Sequence, residues 1–257
     1  MAFRKANFKA IARFNSAVSN EILTLYESNC LAEAVAESET LPHKTFAPSS
    51  ARCKRRSWFR LRGVKPDKPK PDLALNFTAM IGEYCHKDIQ SHFSKFLGDA
   101  WVSPKVYLES HPTSFHYEFE EGEYETKISI SNPPVRFACD GIIQYKEKYY
   151  LLEIKTIDRT VWERLERPMD KHIKQIEYYC TLLGLSHVLF LYRDRQYGGI
   201  KMYEIRVSDI VKSNTLKEIQ EVEEAVQSNL PPDKLPAGDA WCSPSQCPYY
   251  KVCKEWG

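Results

Sequence analysis

The stretch covering residues 135–156 constrains the fold of this chain most strongly. Its residues, VRFACDGIIQYKEKYYLLEIKT, predict two apolar β-strands joined by a short polar turn at Lys146-Glu147-Lys148. Asp140 lies on the first strand. Glu153 and Lys155 project from one side of the second strand, because alternate side chains of a strand share a face. Charged groups on strands this apolar need partners. A divalent cation is a suitable partner, because Mg²⁺ and Mn²⁺ prefer carboxylate oxygens.

Hydrophobic periodicity predicts the helices of the fold. Residues 1–45 are expected to be helical, which suggests an N-terminal helical region of residues 1–48 before a domain of residues 49–257. Residues 78–97 carry a second apolar stripe at helical spacing. A third helix is predicted over residues 170–183 with Gly184 as its C-cap, and a fourth runs from the N-cap Ser208 to about Gln227.

Strands are predicted between these helices. Alternating residues indicate strands between positions 104 and 130, with a solvated acidic turn at residues 118–125. Two further strands are expected at residues 187–193 and 200–207. Strands and helices in this order indicate an α/β fold, in which a mixed central sheet is covered by helices on both faces.

Composition narrows the class of protein. A chain of 257 residues with 43% apolar and 27% charged residues is typical of one large or two small globular domains. No apolar run approaches the ~20 residues that cross a bilayer, so no membrane partner is expected. The net charge of +2 does not by itself indicate a nucleic-acid-binding protein.

The N-terminus has two interpretations. Its first twenty residues contain Arg4, Lys5, Lys9 and Arg13 and no acid, which fits a basic first helix or, as the weaker alternative, a mitochondrial transit peptide. The chain shows no secretory signal pattern, so a reducing, cytoplasmic compartment is expected. There the eight cysteines are metal ligands or core thiols rather than disulfides.

A basic segment follows the N-terminal region. Residues 51–70 contain nine Lys or Arg residues and one acid. Interleaved aromatic residues suggest a DNA-binding segment with phosphate contacts and base stacking. The alternative is a solvated charged helix. The candidate DNA-binding residues are Lys54, Arg55, Arg56, Trp58, Arg60 and Arg62.

Three cysteines lie within the twelve residues from Cys242 to Cys253, separated by prolines, and this spacing fits neither a helix face nor a strand face. Such a cluster calls for a fourth ligand, because structural metal sites are usually closed by four. A tetrahedral Zn²⁺ site and unliganded reduced thiols are the alternatives to an iron–sulfur site.

The order of these motifs resembles a known family. Asp140, twelve further residues and then Glu153-Ile154-Lys155 resemble the core of the PD-(D/E)XK nuclease superfamily. Gly82 and His86 before this core, Gln175 and Tyr179 after it, and a cysteine on each side of it resemble the RecB-like branch with a four-cysteine iron–sulfur site. CRISPR-associated and AddB-type nucleases belong to that branch.

The resemblance implies a restriction-endonuclease-like fold with a C-terminal cysteine-cluster tail. It also implies roles for individual residues. His86, Asp140, Glu153 and the Ile154 carbonyl would hold Mg²⁺ or Mn²⁺, Lys155 would act on the attacking water, and Gln175 and Tyr179 would contact DNA. A [4Fe-4S] cluster would bind Cys53, Cys242, Cys247 and Cys253. This tail reads C-x₄-C-x₅-C, whereas the commonest family spacing is C-x₂-C-x₅-C.

The function implied is metal-dependent hydrolysis of DNA, by exonuclease action on single-stranded ends in recombination, repair or phage and CRISPR DNA processing. The host would be a bacterial, archaeal or phage-infected cell. No G-x-x-x-x-G-K-[ST] motif is present, so a helicase or recombination protein is the expected partner, and a homo-oligomer is compatible with the family. The alternatives are a non-catalytic DNA-binding recombination adaptor and a structural zinc protein. The polarity of cleavage stays open.

Overall fold

The computed structural model describes residues 17–38, 44–67, 73–122 and 125–256. The α-helices are α1 Ala17–Ser38, α2 Lys54–Leu61, α3 Leu73–Leu97, α4 Pro104–Ser110, α5 Arg159–Arg164, α6 Asp170–Leu183, α7 Asp209–Gln227 and α8 Tyr250–Glu255. The strands are β1 Trp101–Val102, β2 Tyr117–Glu121, β3 Thr126–Ile130, β4 Val135–Cys139, β5 Gly141–Tyr145, β6 Lys148–Ile157, β7 His187–Asp194 and β8 Ile200–Arg206.

The central sheet has five strands in the order β1-β5-β6-β7-β8. Strands β6 and β7 are parallel, with Lys155 opposite Tyr192, and the other neighbours are antiparallel. A parallel pair needs a crossover connection, which α5 and α6 supply. The predicted mixed α/β sheet is confirmed, and its architecture is consistent with the restriction-endonuclease-like fold.

The two faces of β6 bury different side chains. Leu152 and Ile154 pack with Ile89 of α3. Leu151 and Ile157 belong to the larger cluster that includes Ile176 of α6. Each fully buried aliphatic side chain contributes roughly 1.5–3 kcal/mol, so β6 is fixed from both sides. Its alternating charged residues therefore occupy defined positions.

A second sheet is an antiparallel meander in the order β2-β3-β4. Its last strand ends at Cys139, and β5 of the central sheet begins at Gly141. The prediction of one continuous strand through Asp140 is therefore wrong. The chain passes from one sheet to the other at this residue, and Trp101 of β1 packs directly on Gly141.

The predicted strands between residues 104 and 130 are partly wrong. Residues Pro104–Ser110 form α4, because Ser103 accepts a 3.2 Å hydrogen bond from the backbone N–H of Val106 and Pro104 occupies the first helical turn. Strands begin only at Tyr117. The hairpin at residues 145–148 is confirmed, with positive φ angles at Lys146 and Glu147.

Three of the predicted helices are confirmed. Helix α3 covers residues 78–97 and begins five residues earlier, at Leu73. Helix α6 has the predicted bounds and ends in the left-handed conformation at Gly184, with φ of 72°. Ser208 caps α7, which ends at Gln227.

The chain divides into two compact units, residues 1–41 with 68–78 and residues 42–67 with 79–257. Within the smaller unit, the Tyr26 ring of α1 stacks on Phe77 with centroids 6.3 Å apart. Helix α1 lies in the region predicted to be helical. The basic residues at positions 4–13 lie outside the described residues.

None of the helices within the described ranges is both long and apolar enough to cross a membrane.

Candidate active site

Asp140 lies between the two sheets and contacts two other elements. Its Oδ1 atom is 3.0 Å from Nδ1 of His86 on α3. Its Oδ2 atom accepts a 2.6 Å hydrogen bond from the backbone N–H of Ile154 on β6. The Gln90 amide on α3 donates to the backbone carbonyl of Asp140 at 2.8 Å. Helix α3 and strand β6 therefore fix both the carboxylate and the backbone of Asp140.

Glu153 and Lys155 form an ion pair on one face of β6, as strand alternation predicts. The Glu153 side chain is only 2% exposed. Burial raises its pKa to about 7, and the Asp140 carboxylate adds to this, although Lys155 opposes both effects. Burial disfavours the charged Lys155 ammonium, but the two carboxylates outweigh burial and raise the pKa of Lys155. Lys155 is therefore protonated at neutral pH.

His86 is the histidine whose position the sequence indicated. Burial lowers the pKa of its imidazole, but the hydrogen bond to Asp140 and the charge of that carboxylate raise it by more. One helical turn earlier, Gly82 lies over β6, where an added Cβ would come 3.2 Å from Oγ1 of Thr156. A glycine at this position lets α3 approach the strand closely.

These side chains have the donor chemistry of a hard divalent cation, namely two carboxylates and an imidazole. Their arrangement is that of charged pairs. Among the described residues, no group of three or more His, Cys, Asp or Glu side chains is placed to hold a metal ion. Because His86 contacts Asp140 and Lys155 contacts Glu153, binding a cation requires these two contacts to open.

Glu125 is a residue that the sequence did not single out. It follows the turn of the β2–β3 hairpin, which the sequence assigned to a solvated tip. Burial raises the pKa of Glu125, and the charge of Asp140 raises it further while His86 lowers it. Although Glu125 is exposed overall, as expected for a solvated turn, its carboxyl lies within electrostatic range of Asp140 and His86. Its acidic neighbours concealed it, because a run of acids usually indicates a solvated turn.

Gln175 and Tyr179 lie on α6, one turn apart, as predicted. The Gln175 amide donates a 2.7 Å hydrogen bond to the Tyr179 hydroxyl. Tyr179 is only 4% exposed, and its ring stacks on Phe137 with centroids 5.1 Å apart. Burial raises the pKa of Tyr179 well above its usual value, and the charge of Glu153 adds to this. The Tyr179 hydroxyl is therefore protonated and near the candidate site.

The basic segment forms α2, and two of its candidate DNA-binding residues are buried. Trp58 is 0% exposed, and its Nε1 atom donates a 2.9 Å hydrogen bond to the Ala225 carbonyl. Arg55 is 5% exposed and donates to the Trp256 carbonyl at 2.9 Å. The expectation that Trp58 stacks on bases is wrong, since its ring is part of the core. The alternative of a fully solvated helix is wrong for the same reason.

The other basic residues of α2 are engaged to different degrees. Lys54 pairs with Glu221, and Arg62 hydrogen-bonds Asn229. Arg60 donates a 2.8 Å hydrogen bond to the Thr45 carbonyl. Arg56 is partly exposed and lines the cavity of the cysteine cluster. These contacts tie α2 to the fold, so phosphate binding by Lys54, Arg56, Arg60 and Arg62 stays a prediction.

The cysteines of the tail meet Cys53 at one cavity. The cavity has a volume of about 590 Å³, and its lining includes Cys53, Cys242, Cys247 and Cys253. Phe59 of α2 stacks on Tyr249 beside α8, with ring centroids 5.4 Å apart. This stacking joins the segment after Cys53 to the tail, so both ends of the larger unit's sequence lie at the cavity.

The cysteine side chains influence one another's ionisation. Burial raises the pKa of Cys53, and the Cys247 and Cys242 sulfurs raise it further. Burial also raises the pKa of Cys247, with smaller contributions from Cys253 and Cys242. The Cys53 and Cys247 thiols are thus protonated at neutral pH without a metal. A metal ion would bind them as thiolates and release protons.

No protein-family model and no curated protein sequence matches this chain. Among solved structures, the crystal structure of SSO0001 matches with a TM-score of 0.49 and 15% identity, covering 90% of this chain and 96% of that one. An alkaline exonuclease, LHK-Exo from Laribacter hongkongensis, matches with a TM-score of 0.40 and 12% identity, covering 76% and 93%. LHK-Exo in complex with dAMP gives 0.36 and 14%, covering 72% and 89%. The function is therefore inferred from the side chains of the site.

Proposed function

We propose that this chain is a metal-dependent deoxyribonuclease that hydrolyses phosphodiester bonds. The observation that carries the proposal is that two charged pairs meet at Ile154 of β6. Asp140 contacts His86 and accepts a hydrogen bond from the Ile154 backbone N–H, and the flanking residues Glu153 and Lys155 form an ion pair. The Asp140 and Glu153 side chains are only 13% and 2% exposed, so keeping two carboxylates and a protonated lysine there costs desolvation free energy. Buried groups with shifted pKa values, such as Glu153 and Lys155, occur most often at functional sites.

Each side chain has a definable part in the reaction. Asp140, Glu153 and His86, with the Ile154 carbonyl, would hold Mg²⁺ or Mn²⁺. When bound, the ion supplies Lewis-acid stabilisation of the negative charge on the phosphate. Because the pKa of Lys155 is raised, its ammonium group donates a hydrogen bond to the attacking water or the phosphate oxygens and does not act as the base.

The reaction is a hydrolysis. The water loses one proton to solvent as its oxygen forms a bond to phosphorus. One bridging P–O bond breaks, and the leaving oxygen takes up a proton from solvent, so the proton count is unchanged. The products are a phosphate monoester and a hydroxyl. We assign exonuclease action on single-stranded ends to this site, with Gln175 and Tyr179 orienting the strand. Because Tyr179 is only 4% exposed, direct contact of its ring with DNA is not expected. Its hydroxyl accepts a hydrogen bond from Gln175, so Tyr179 acts by positioning that partly exposed amide.

The test is degradation of end-labelled single-stranded DNA with Mg²⁺ or Mn²⁺. The wild-type protein should degrade the DNA, EDTA should stop it, and Lys155→Ala should be inactive. The matched control is Lys212→Ala, which removes another largely buried lysine that hydrogen-bonds Ser186 at 2.7 Å, away from these carboxylates. This control should retain activity.

Other outcomes separate the alternatives. Wild-type protein that binds DNA and cuts neither linear nor circular substrates would favour the adaptor function. Cutting of circular DNA would replace exonuclease by endonuclease action. The position of the label in the products gives the polarity of cleavage.

We further propose that the four cysteines at the cavity bind a [4Fe-4S] cluster, with Zn²⁺ as the alternative. The common cavity of Cys53, Cys242, Cys247 and Cys253 supports this, as does the soft thiolate donor set. Among the described residues these sulfurs are not yet arranged as a metal site, so binding requires them to move closer together. Brown protein with iron and sulfide would favour the cluster, and colourless protein with stoichiometric zinc would favour the alternative. Cys247→Ser should lose the metal, whereas Cys85→Ser, a control on α3 that does not line the cavity, should keep it.

A further inference from the structure

Tyr197 is the most exposed large apolar side chain within the described ranges, at 81%. It lies in the turn between β7 and β8, where Gly198 has a φ of 74°. A single exposed ring is common on protein surfaces, and this one is distinguished by the ordered side chains that hold it. The sequence predicted base stacking by Trp58, but that ring is buried, so Tyr197 offers what Trp58 does not.

The Tyr197 ring belongs to an ordered stack of side chains. The Arg159 guanidinium lies over two rings, with its Cζ 5.5 Å from the Tyr197 centroid and 5.0 Å from the Trp162 centroid. Lys201 places its ammonium 4.6 Å from the Trp162 ring. A cation over an aromatic ring is attracted to the negative electrostatic potential of the ring face. The stack therefore consists of Trp162, Arg159 and Tyr197 and has an open end at Tyr197.

A buried carboxylate holds the stack in place. Asp194 is 1% exposed and accepts hydrogen bonds from Arg159 at 3.1 Å and from the backbone N–H of Tyr197 at 3.3 Å. The Arg159 guanidinium also donates to Glu163 at 2.7 Å. Gly199 packs on the Trp162 ring, where an added Cβ would come within 2.9 Å. Since the turn and the cation are already ordered, stacking a ligand ring on Tyr197 costs little conformational entropy.

The stack lies along the strands that carry the candidate site. In the parallel register, Lys155 is opposite Tyr192 and Ile157 is opposite Asp194. Asp194 therefore lies two residues, or about 7 Å, beyond Lys155 along the sheet. Residues 153, 155 and 157 share a face of β6, so the stack begins on the face that bears Glu153 and Lys155. A DNA strand passing Lys155 would reach Tyr197.

Taking the proposed nuclease function as the premise, we propose that Tyr197 stacks on a nucleobase of the single-stranded DNA near the cleaved phosphate. Every base has an aromatic face, so the site is tolerant of sequence. It selects single strands, because bases in a duplex already stack on their neighbours. Arg159 acts as a positioning residue through the Tyr197 ring.

The test measures binding of a labelled single-stranded oligonucleotide in EDTA, where no cleavage occurs. Tyr197→Ala should weaken binding by about 5- to 150-fold, the range for loss of one stacked base, and Tyr197→Phe should bind as the wild type does. The matched control is Tyr145→Ala. Tyr145 is 57% exposed and has the Lys146 ammonium 5.3 Å from its ring. It lies on β5 opposite Lys148, the first residue of β6, whereas the stack lies beyond the last residue of β6.

Oligonucleotides with one abasic position separate stacking from other contacts. At one position, loss of the base should weaken wild-type binding by the same factor as Tyr197→Ala. At that position the variant should lose nothing more. Three results would each overturn the proposal. Tyr197→Ala could bind as tightly as the wild type, or the wild type could fail to bind. Removing a base could also weaken binding equally in both proteins at every position.

The two proposals fail in different ways. Wild-type protein that binds single strands with the Tyr197 dependence, but never cuts them, contradicts the nuclease function and leaves the stacking intact. Wild-type protein that cuts DNA, with Tyr197→Ala equal to it in binding and in KM, contradicts the stacking alone.

Discussion

The Oδ2 atom of Asp140 accepts a hydrogen bond from the backbone nitrogen of Ile154 at 2.6 Å. Ile154 lies between Glu153 and Lys155 on β6, so this bond sets the position of Asp140 relative to both. Because the chain changes sheets at Asp140, the site depends on how the two sheets are joined. The same carboxylate contacts His86 through its other oxygen, which extends the dependence to α3.

The charge of Asp140 should be required for activity and much less for folding. Asp140→Asn keeps an oxygen that can accept from Ile154 while removing the negative charge. Loss of an outer partner of a metal ligand already costs 10- to 100-fold in affinity or activity, so we expect cleavage to fall by at least about 100-fold. The measurement is the initial rate on end-labelled DNA, with Mn²⁺ affinity measured alongside.

Asp88→Asn is the matched control for this variant. Asp88 is on α3, the helix that carries the His86 partner of Asp140, and it binds Arg193 at 2.8 Å, but it is exposed. Exposed ion pairs contribute about 0–1 kcal/mol, so activity should change little. If both variants lost the same activity, the loss would reflect the total negative charge in this region and not a specific role of Asp140.

Glu153 should make the metal-free protein less stable as pH rises. Its pKa is raised from 4.5 to about 7 in the folded state. Between these values the unfolded chain releases the proton first, so the free energy of unfolding falls by up to about 3 kcal/mol and is then constant. In Glu153→Gln this component should be absent. The measurement is urea unfolding in EDTA from pH 4.5 to 8.

A second group titrates in part of this range with the opposite sign. Burial lowers the pKa of His172 to about 3, and the charge of Lys155 adds to this. The folded state therefore loses stability as pH falls from 6.5 toward 3. Wild type and Glu153→Gln share this slope. Burial lowers the pKa of His86, but Asp140 and to a smaller extent Glu153 raise it by more, so His86 contributes with the same sign as Glu153. The difference between the two profiles therefore reports Glu153 together with its interaction with His86. Parallel profiles would contradict the raised pKa.

Trp58 should matter for stability and not for DNA binding. Its ring is fully buried, and it packs edge-on against Trp256 with centroids 5.1 Å apart. Removing a buried tryptophan ring typically costs about 3–5 kcal/mol. Trp58→Ala should therefore lower the urea midpoint strongly, while the folded fraction binds single-stranded DNA normally. Weakened DNA binding with an unchanged midpoint would restore the stacking role first expected of Trp58.

The sequence predicted the site residues of β6 better than their surroundings. Glu153 and Lys155 were assigned correctly to one face, because strand alternation is a local property. The break of the strand at Asp140 was missed, since it depends on packing between distant segments. Trp58 was misplaced because a basic helix shows its charges in the sequence, whereas the face that it buries depends on α7 and α8. Glu125 was missed for a similar reason, because a run of acidic residues does not show where the β2–β3 hairpin lies relative to Asp140.

Replacing Gly141 should reduce both the stability of the protein and its cleavage rate. An alanine Cβ there would lie 2.7 Å from Cζ2 of Trp101, a rigid ring that cannot move without disturbing β1. Overpacking of this kind costs typically 1–3 kcal/mol. Because Asp140 precedes Gly141 directly, Gly141→Ala should also displace the carboxylate and reduce the cleavage rate. Stability and initial rate are measured on the same preparation.

A double-mutant cycle with Trp101→Ala tests the cause. If the clash with the ring is responsible, Gly141→Ala should cost less in the Trp101→Ala background than in the wild type, and both stability and rate should recover together. The backbone of Gly141 is not in the left-handed region that disfavours alanine. Additive effects of the two substitutions would therefore show that Trp101 does not position the chain at Asp140.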